Sequence, residues 1–173
     1  MCTNNQDLEK FAESAKRFCL LMELSPSNRP TDFYKIVRDT LKSLNDNISN
    51  VEAISGDKNY DQYNLSDTDY FLILENIGKL LDPELANIIN DYTGKNDFEL
   101  TDEFFGFTML SDDLADIYRD LKKGLNRYEI QTEDAKTDAG FCWRFNYEYH
   151  WFDHLKQAYK KMGKILEFKQ LRR

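Results

Sequence analysis

The chain reads as an all-α protein, a bundle of about five or six helices with a long C-terminal helix. Three observations predict this. Apolar residues recur at steps of three and four through most of the 173 residues. Seven glycines and three prolines leave few helix breakers. Period-two alternation, which a sheet protein needs, is largely missing.

Leu8, Phe11, Ala12, Ala15, Phe18, Cys19 and Met22 mark a first amphipathic helix that ends before Ser25-Pro26. After a loop to Pro30, Thr31 reads as an N-cap, with Asp32 in the first turn where the helix dipole favours negative charge. Phe33, Val37, Leu41, Leu44, Ile48 and Val51 form the second stripe, running to about Ile54. Gly56 to Asn64 is polar, with Tyr60 and Tyr63 embedded, and reads as a loop.

Ser66 and Asp69 resemble a capping box in which Asp replaces Glu or Gln. Tyr70, Ile73, Leu74, Ile77, Leu80 and Leu81 follow as an apolar face. Asp82-Pro83 is expected to end that helix, because the residue before proline is pushed away from helical angles. Leu85, Ile88, Ile89 and Tyr92 then suggest a short further helix stopping at Gly94. Between Lys95 and Leu110, Phe98, Leu100, Phe104, Phe105, Phe107 and Met109 are too apolar for a solvated loop. That stretch is expected to form a short strand pair or an irregular cover.

Ser111 reads as the cap of a helix with Leu114, Ile117, Leu121, Leu125 and Tyr128 on one face. The last helix runs from about Asp134 to Leu166, and Gly140 marks a place for it to bend. Short links favour antiparallel neighbours. No internal repeat is present, so residues 1–173 read as a single helical domain.

Composition narrows the function classes. Net charge is −8, from 31 acidic and 23 basic residues, which opposes binding to a phosphate backbone; no nucleic-acid partner is expected. The basic end, Lys160-Lys161 through Lys169 to Arg172-Arg173, reads as a solvated helix terminus that complements the dipole. Aromatic residues make up 14%, which argues against disorder. Cys2, Cys19 and Cys142 are odd in number and widely spaced, suiting reduced thiols, with Cys19 as a core residue. No signal peptide and no apolar run of about 20 residues is visible. A cytoplasmic protein that makes no use of a membrane is expected.

Two runs carry the chemistry. His150-Trp151-Phe152-Asp153-His154 holds both histidines of the protein, one helical turn apart. Asp112-Asp113-Leu114-Ala115-Asp116-Ile117-Tyr118-Arg119-Asp120 places carboxylates at similar spacing. At about 100° per residue, both imidazoles fall on one shoulder of the last helix's core face. Asp113 and Asp120 fall on one shoulder of the Ser111 helix, with Asp116 further toward solvent. Gly124 sits on that shoulder and lets another helix approach.

If the two helices pack side by side, acids and imidazoles meet. His150, His154, Asp116 and Asp120 would suit a divalent metal with an open position. The plainer reading is structural: histidines donating to carboxylates to set helix register, and a semi-buried Arg144 paired with Asp116 or Asp120. The aromatic run Phe141 to Phe152 is too rich for one buried face. It is expected to be central, with Phe98 to Leu110 draped over it. No G-x-S-x-G, P-loop or GxGxxG is present.

Ser111 to Leu125 and Trp143-Arg144-Phe145-Asn146-Tyr147-Glu148-Tyr149-His150-Trp151-Phe152-Asp153-His154-Leu155 resemble an uncharacterised family of small bacterial all-α proteins, a domain of unknown function. Phe152 stands where that family more often has glycine, which would crowd a pocket beside the histidines. The resemblance implies a bacterial helical protein and supplies no activity. It suggests that Asp113, Asp116, Arg119, Asp120, His150 and His154 share one neighbourhood, to which the residue pattern adds Arg144.

The sequence favours a non-catalytic binding or adaptor protein whose acidity would suit a basic partner. The alternative is a metal-dependent, hydrolase-like enzyme using the His/Asp cluster. A third reading is a small-ligand binding bundle with the aromatic run as its pocket.

Overall fold

The computed structural model describes residues 5–92 and 110–171. Among them lie five long helices and no strand. Helix α1 spans Asn5–Met22, α2 Phe33–Ile48, α3 Asp67–Tyr92 and α4 Leu110–Tyr128. The last helix, α5, runs as Glu133–Asn146, a π-helical turn Tyr147–Trp151, and Phe152–Leu171. Its 39 residues match the expected long C-terminal helix.

The predicted stripes become one core. Phe11, Phe18 and Met22 of α1 meet Val37, Leu41 and Leu44 of α2, Ile77 and Leu80 of α3, and Ile117 and Leu121 of α4. Trp143, Trp151 and Met162 bring in α5. Each such side chain, fully removed from water, contributes about 1.5–3 kcal/mol before entropy is charged. Helix α4 packs against α1, α3 and both halves of α5, so its polar stripe cannot avoid protein surroundings.

The α4–α5 pair is antiparallel. Its turn passes through Gln131, whose φ of 64° is left-handed, and Thr132 caps α5 by accepting from the Ala135 amide. Gly124 lies directly against the Trp143 ring. A Cβ there would lie 2.1 Å from the Trp143 indole nitrogen, which donates to the Leu121 carbonyl at 3.0 Å. The loop after α2 docks on this pair through Tyr60, whose hydroxyl donates to Asp134 at 2.6 Å, and through Asn64, which accepts from Arg127.

Several boundaries differ from expectation. Helix α2 begins after Asp32 rather than Thr31, without a side-chain cap, and ends at Ile48 rather than near Ile54. Pro83 does not end α3, which continues to Tyr92. A proline can stay in a helix at the cost of one backbone bond. The turn before Pro83 is tied to other segments: Arg29 donates to Leu80 O at 3.0 Å, and the Tyr34 hydroxyl to Leu81 O at 3.1 Å. Ser111 lies inside α4, which already includes Leu110.

Helix α5 passes through Gly140 without interruption. Its irregularity is the π turn, where the Phe152 amide donates to Tyr147 O, the mark of one inserted residue. Phe98 to Met109, expected to drape over the aromatic run, lie outside the described residues. The run itself is not wholly central: Trp143 and Trp151 are buried, whereas Phe145 and Tyr149 are 46% and 75% exposed. No helix of the described residues is long and apolar enough to cross a membrane.

Candidate metal centre between α4 and α5

Asp113, Asp116 and Asp120 are spaced three and four apart, so a helix sets them on one stripe. In α4 all three are buried, with exposures of 5%, 8% and 1%. Asp116 is therefore not turned to solvent, because Tyr70 of α3 and the α5 histidines close over it. The Tyr70 hydroxyl donates to Asp116 Oδ1 at 3.2 Å. Burial first, and then the Asp116 and Asp112 charges, push the Tyr70 phenol up to about 12.

From α5, His150 leaves the π turn and His154 the helical turn after it, with ring centroids 5.0 Å apart in a T-shaped contact. His150 Nδ1 lies 2.6 Å from Asp120 Oδ2, and His154 Nδ1 lies 2.9 Å from Asp113 Oδ1. An ionised carboxylate only accepts, so each Nδ1 carries the proton and donates it. In the neutral ring each Nε2 then keeps its lone pair. His154 Nε2 stands 3.6 Å from Asp116 Oδ2, beyond hydrogen-bond reach. One donor atom from each of Asp116, His150 and His154 lies within 4.8 Å of the other two.

Each acid also meets one cation. Arg119 Nη2 donates to Asp116 Oδ1 at 2.7 Å, Lys123 to Asp120 Oδ1 at 3.3 Å, and Lys161 to Asp113 Oδ2 at 2.5 Å. The Arg119 guanidinium sits 4.7 Å over the Tyr70 ring, and its buried Nε–H has no acceptor among the described residues.

The structure thus brings together Asp113, Asp116, Arg119, Asp120, His150 and His154. Asp120 falls outside the group of three close donor atoms; both its oxygens are engaged, by His150 and Lys123. Arg144 is outside the group and pairs with neither Asp116 nor Asp120. It binds Glu148 at 2.7 Å and donates at 3.1 Å to Ile48 O, which also accepts from the Val51 amide at 3.1 Å. Arg144 stands six residues before His150, about a third of a turn around the helix, and so faces α2 instead.

Three members escape the sequence reading. Tyr70 counts there only as an apolar position, and Lys123, which pairs with Asp120, is not singled out. Lys161 was assigned to a solvated tail, yet its side chain is 13% exposed and grips Asp113. Its spacing held a signal: seven residues after His154 is two turns along the same face.

The model of a family described as "Domain of unknown function (DUF5063)" matches residues 3–166. The crystal structure of protein BF1032 from Bacteroides fragilis superposes with a TM-score of 0.71 at 18% identity, covering 92% of this chain and 95% of that one. At that identity the likeness speaks for the fold alone. No curated protein matches.

Proposed function

The chain belongs to this family of unknown function, and we propose that it is a divalent-metal protein in which Asp116, His150 and His154 are the ligands. The observation that carries the reading is the occupation of both Nδ1 positions by buried carboxylates, Asp120 and Asp113. A carboxylate behind a histidine fixes ring and tautomer and raises the basicity of Nε2, the arrangement that metal-ligating histidines use. Two imidazoles and one carboxylate suit zinc or ferrous iron and leave at least one position open. The 3.6 Å between His154 Nε2 and Asp116 Oδ2 is already near the spacing of two ligands on one such ion. A bound ion would supply a Lewis acid and a water of lowered pKa, the chemistry of a metal-dependent hydrolase.

Elemental analysis and melting of untagged protein test this. Zinc, manganese or ferrous iron at a hundredfold excess over Kd is expected to add about 2.7 kcal/mol of stability, reversed by EDTA. His154→Ala and Asp116→Asn are expected to lose the shift. Metal-free protein whose melting none of these ions moves would overturn the reading.

A specific feature favours a second reading, a binding protein for a basic partner. Phe141, Phe145 and Tyr149 form a row of rings with centroids 5.6 and 4.7 Å apart, open to solvent at Phe145 and Tyr149, on a chain of net charge −8.

A further inference from the structure

We infer that the open position of this centre takes an oxyanion, a phosphate or carboxylate group, and that metal and anion bind together. The inference rests on the metal reading above and deepens it. Its basis is charge. The three carboxylates of the cluster are matched one to one by Arg119, Lys123 and Lys161, at 2.7, 3.3 and 2.5 Å. These pairs are partly shielded: the acids expose 12%, 2% and 8% of their side chains. Asp153, beside His154, has its own partner in Lys156 at 2.7 Å. Asp112, whose charge reaches Tyr70, is partly exposed, and water weakens its effect on the site.

Histidines ligate as neutral imidazoles. The paired groups therefore bring no net charge to meet a divalent cation, and apart from the solvent-screened Asp112 the complex carries about two uncompensated positive charges in a region of reduced dielectric. A site with an unneutralised carboxylate supplies that balance from its own side chains. Here the balance must come from outside, and an anionic oxygen in the open position both ligates and neutralises. Arg119 adds a local reason. Its buried Nε–H has no acceptor beside the proposed ligand set, a deficit that an oxyanion oxygen would repair after a small movement of the guanidinium.

Calorimetric titration of the full chain with cobalt(II), in a non-coordinating buffer, tests the idea. Four arms contain no addition, inorganic phosphate, acetate, or neutral acetamide. Tightening of cobalt by about tenfold with phosphate or acetate, and none with acetamide, is the expected result. The stronger of the two anions then identifies the kind of oxyanion. Reciprocity requires cobalt to tighten the anion by the same factor.

Lys123→Gln and Lys161→Gln each return one carboxylate charge to the site. In each, cobalt alone is expected to bind more tightly than in the parent, and the anion effect to shrink. Circular dichroism checks that each variant is folded, and Lys123→Gln, at the more exposed pair, serves if Lys161→Gln unfolds. Cobalt binding that is equal in all four arms overturns the oxyanion and leaves the metal reading standing. Failure to bind cobalt in any arm overturns both.

Discussion

Asp120 has no exposed surface to speak of, and its two oxygens are shared between His150 and Lys123. It shapes the site without being placed to ligate. Asp120→Asn keeps an acceptor for the His150 N–H but loses the charge that makes Nε2 basic. The expected outcome is metal affinity weakened by about 10–100-fold, read by cobalt titration. Asp113→Asn is expected to act likewise through His154. Unchanged affinity in a folded Asp120→Asn protein would mean that the carboxylate serves only helix register. Asp116 differs: its Oδ2 faces His154 Nε2, so Asp116→Asn removes a proposed ligand rather than a support.

The α4–α5 pair depends on two local devices. One is the contact of Gly124 with Trp143. Any side chain at 124 would overlap the indole, and pushing Trp143 away also breaks its bond to Leu121 O. Gly124→Ala is expected to cost about 3 kcal/mol. For a chain of this length that is a fall in Tm of about 6–12 °C, measured by calorimetry. A change within about 1 °C would show that the helices separate at little cost. The other device is the π turn Tyr147–Trp151, which carries His150. Pro83 teaches the converse: a residue that reads as a helix breaker lies inside α3, which runs through it to Tyr92.

For the molecule as a whole, the open aromatic row and the negative charge belong to the binding-protein reading. Phe145→Ser with Tyr149→Ser touches exposed positions only and is expected to leave Tm nearly unchanged. If the row docks a basic protein, that protein co-purifies with the parent at low salt and is lost in the double variant. Rising salt weakens the capture, since exposed charges are screened beyond about 10 Å at 0.1 M. Equal recovery with parent and double variant would remove the row from any docking role.

Helix periodicity and scarce breakers were enough to derive the all-α bundle, its long last helix and the core stripes, because burial of one face per helix is a local pattern repeated every three or four residues. The same spacing put Asp113, Asp120, His150 and His154 on facing shoulders. What the pattern left open was decided by contacts between distant segments. Ile48 of α2 supplied the carbonyl that drew Arg144 away, and Lys161 had to fold back along α5 to reach Asp113. Tyr70, more than forty residues before Asp116 in sequence, became its hydrogen-bond donor. Periodicity reports which face of a helix is buried; which partner meets a charged group there depends on packing between segments, and only the folded arrangement supplies it.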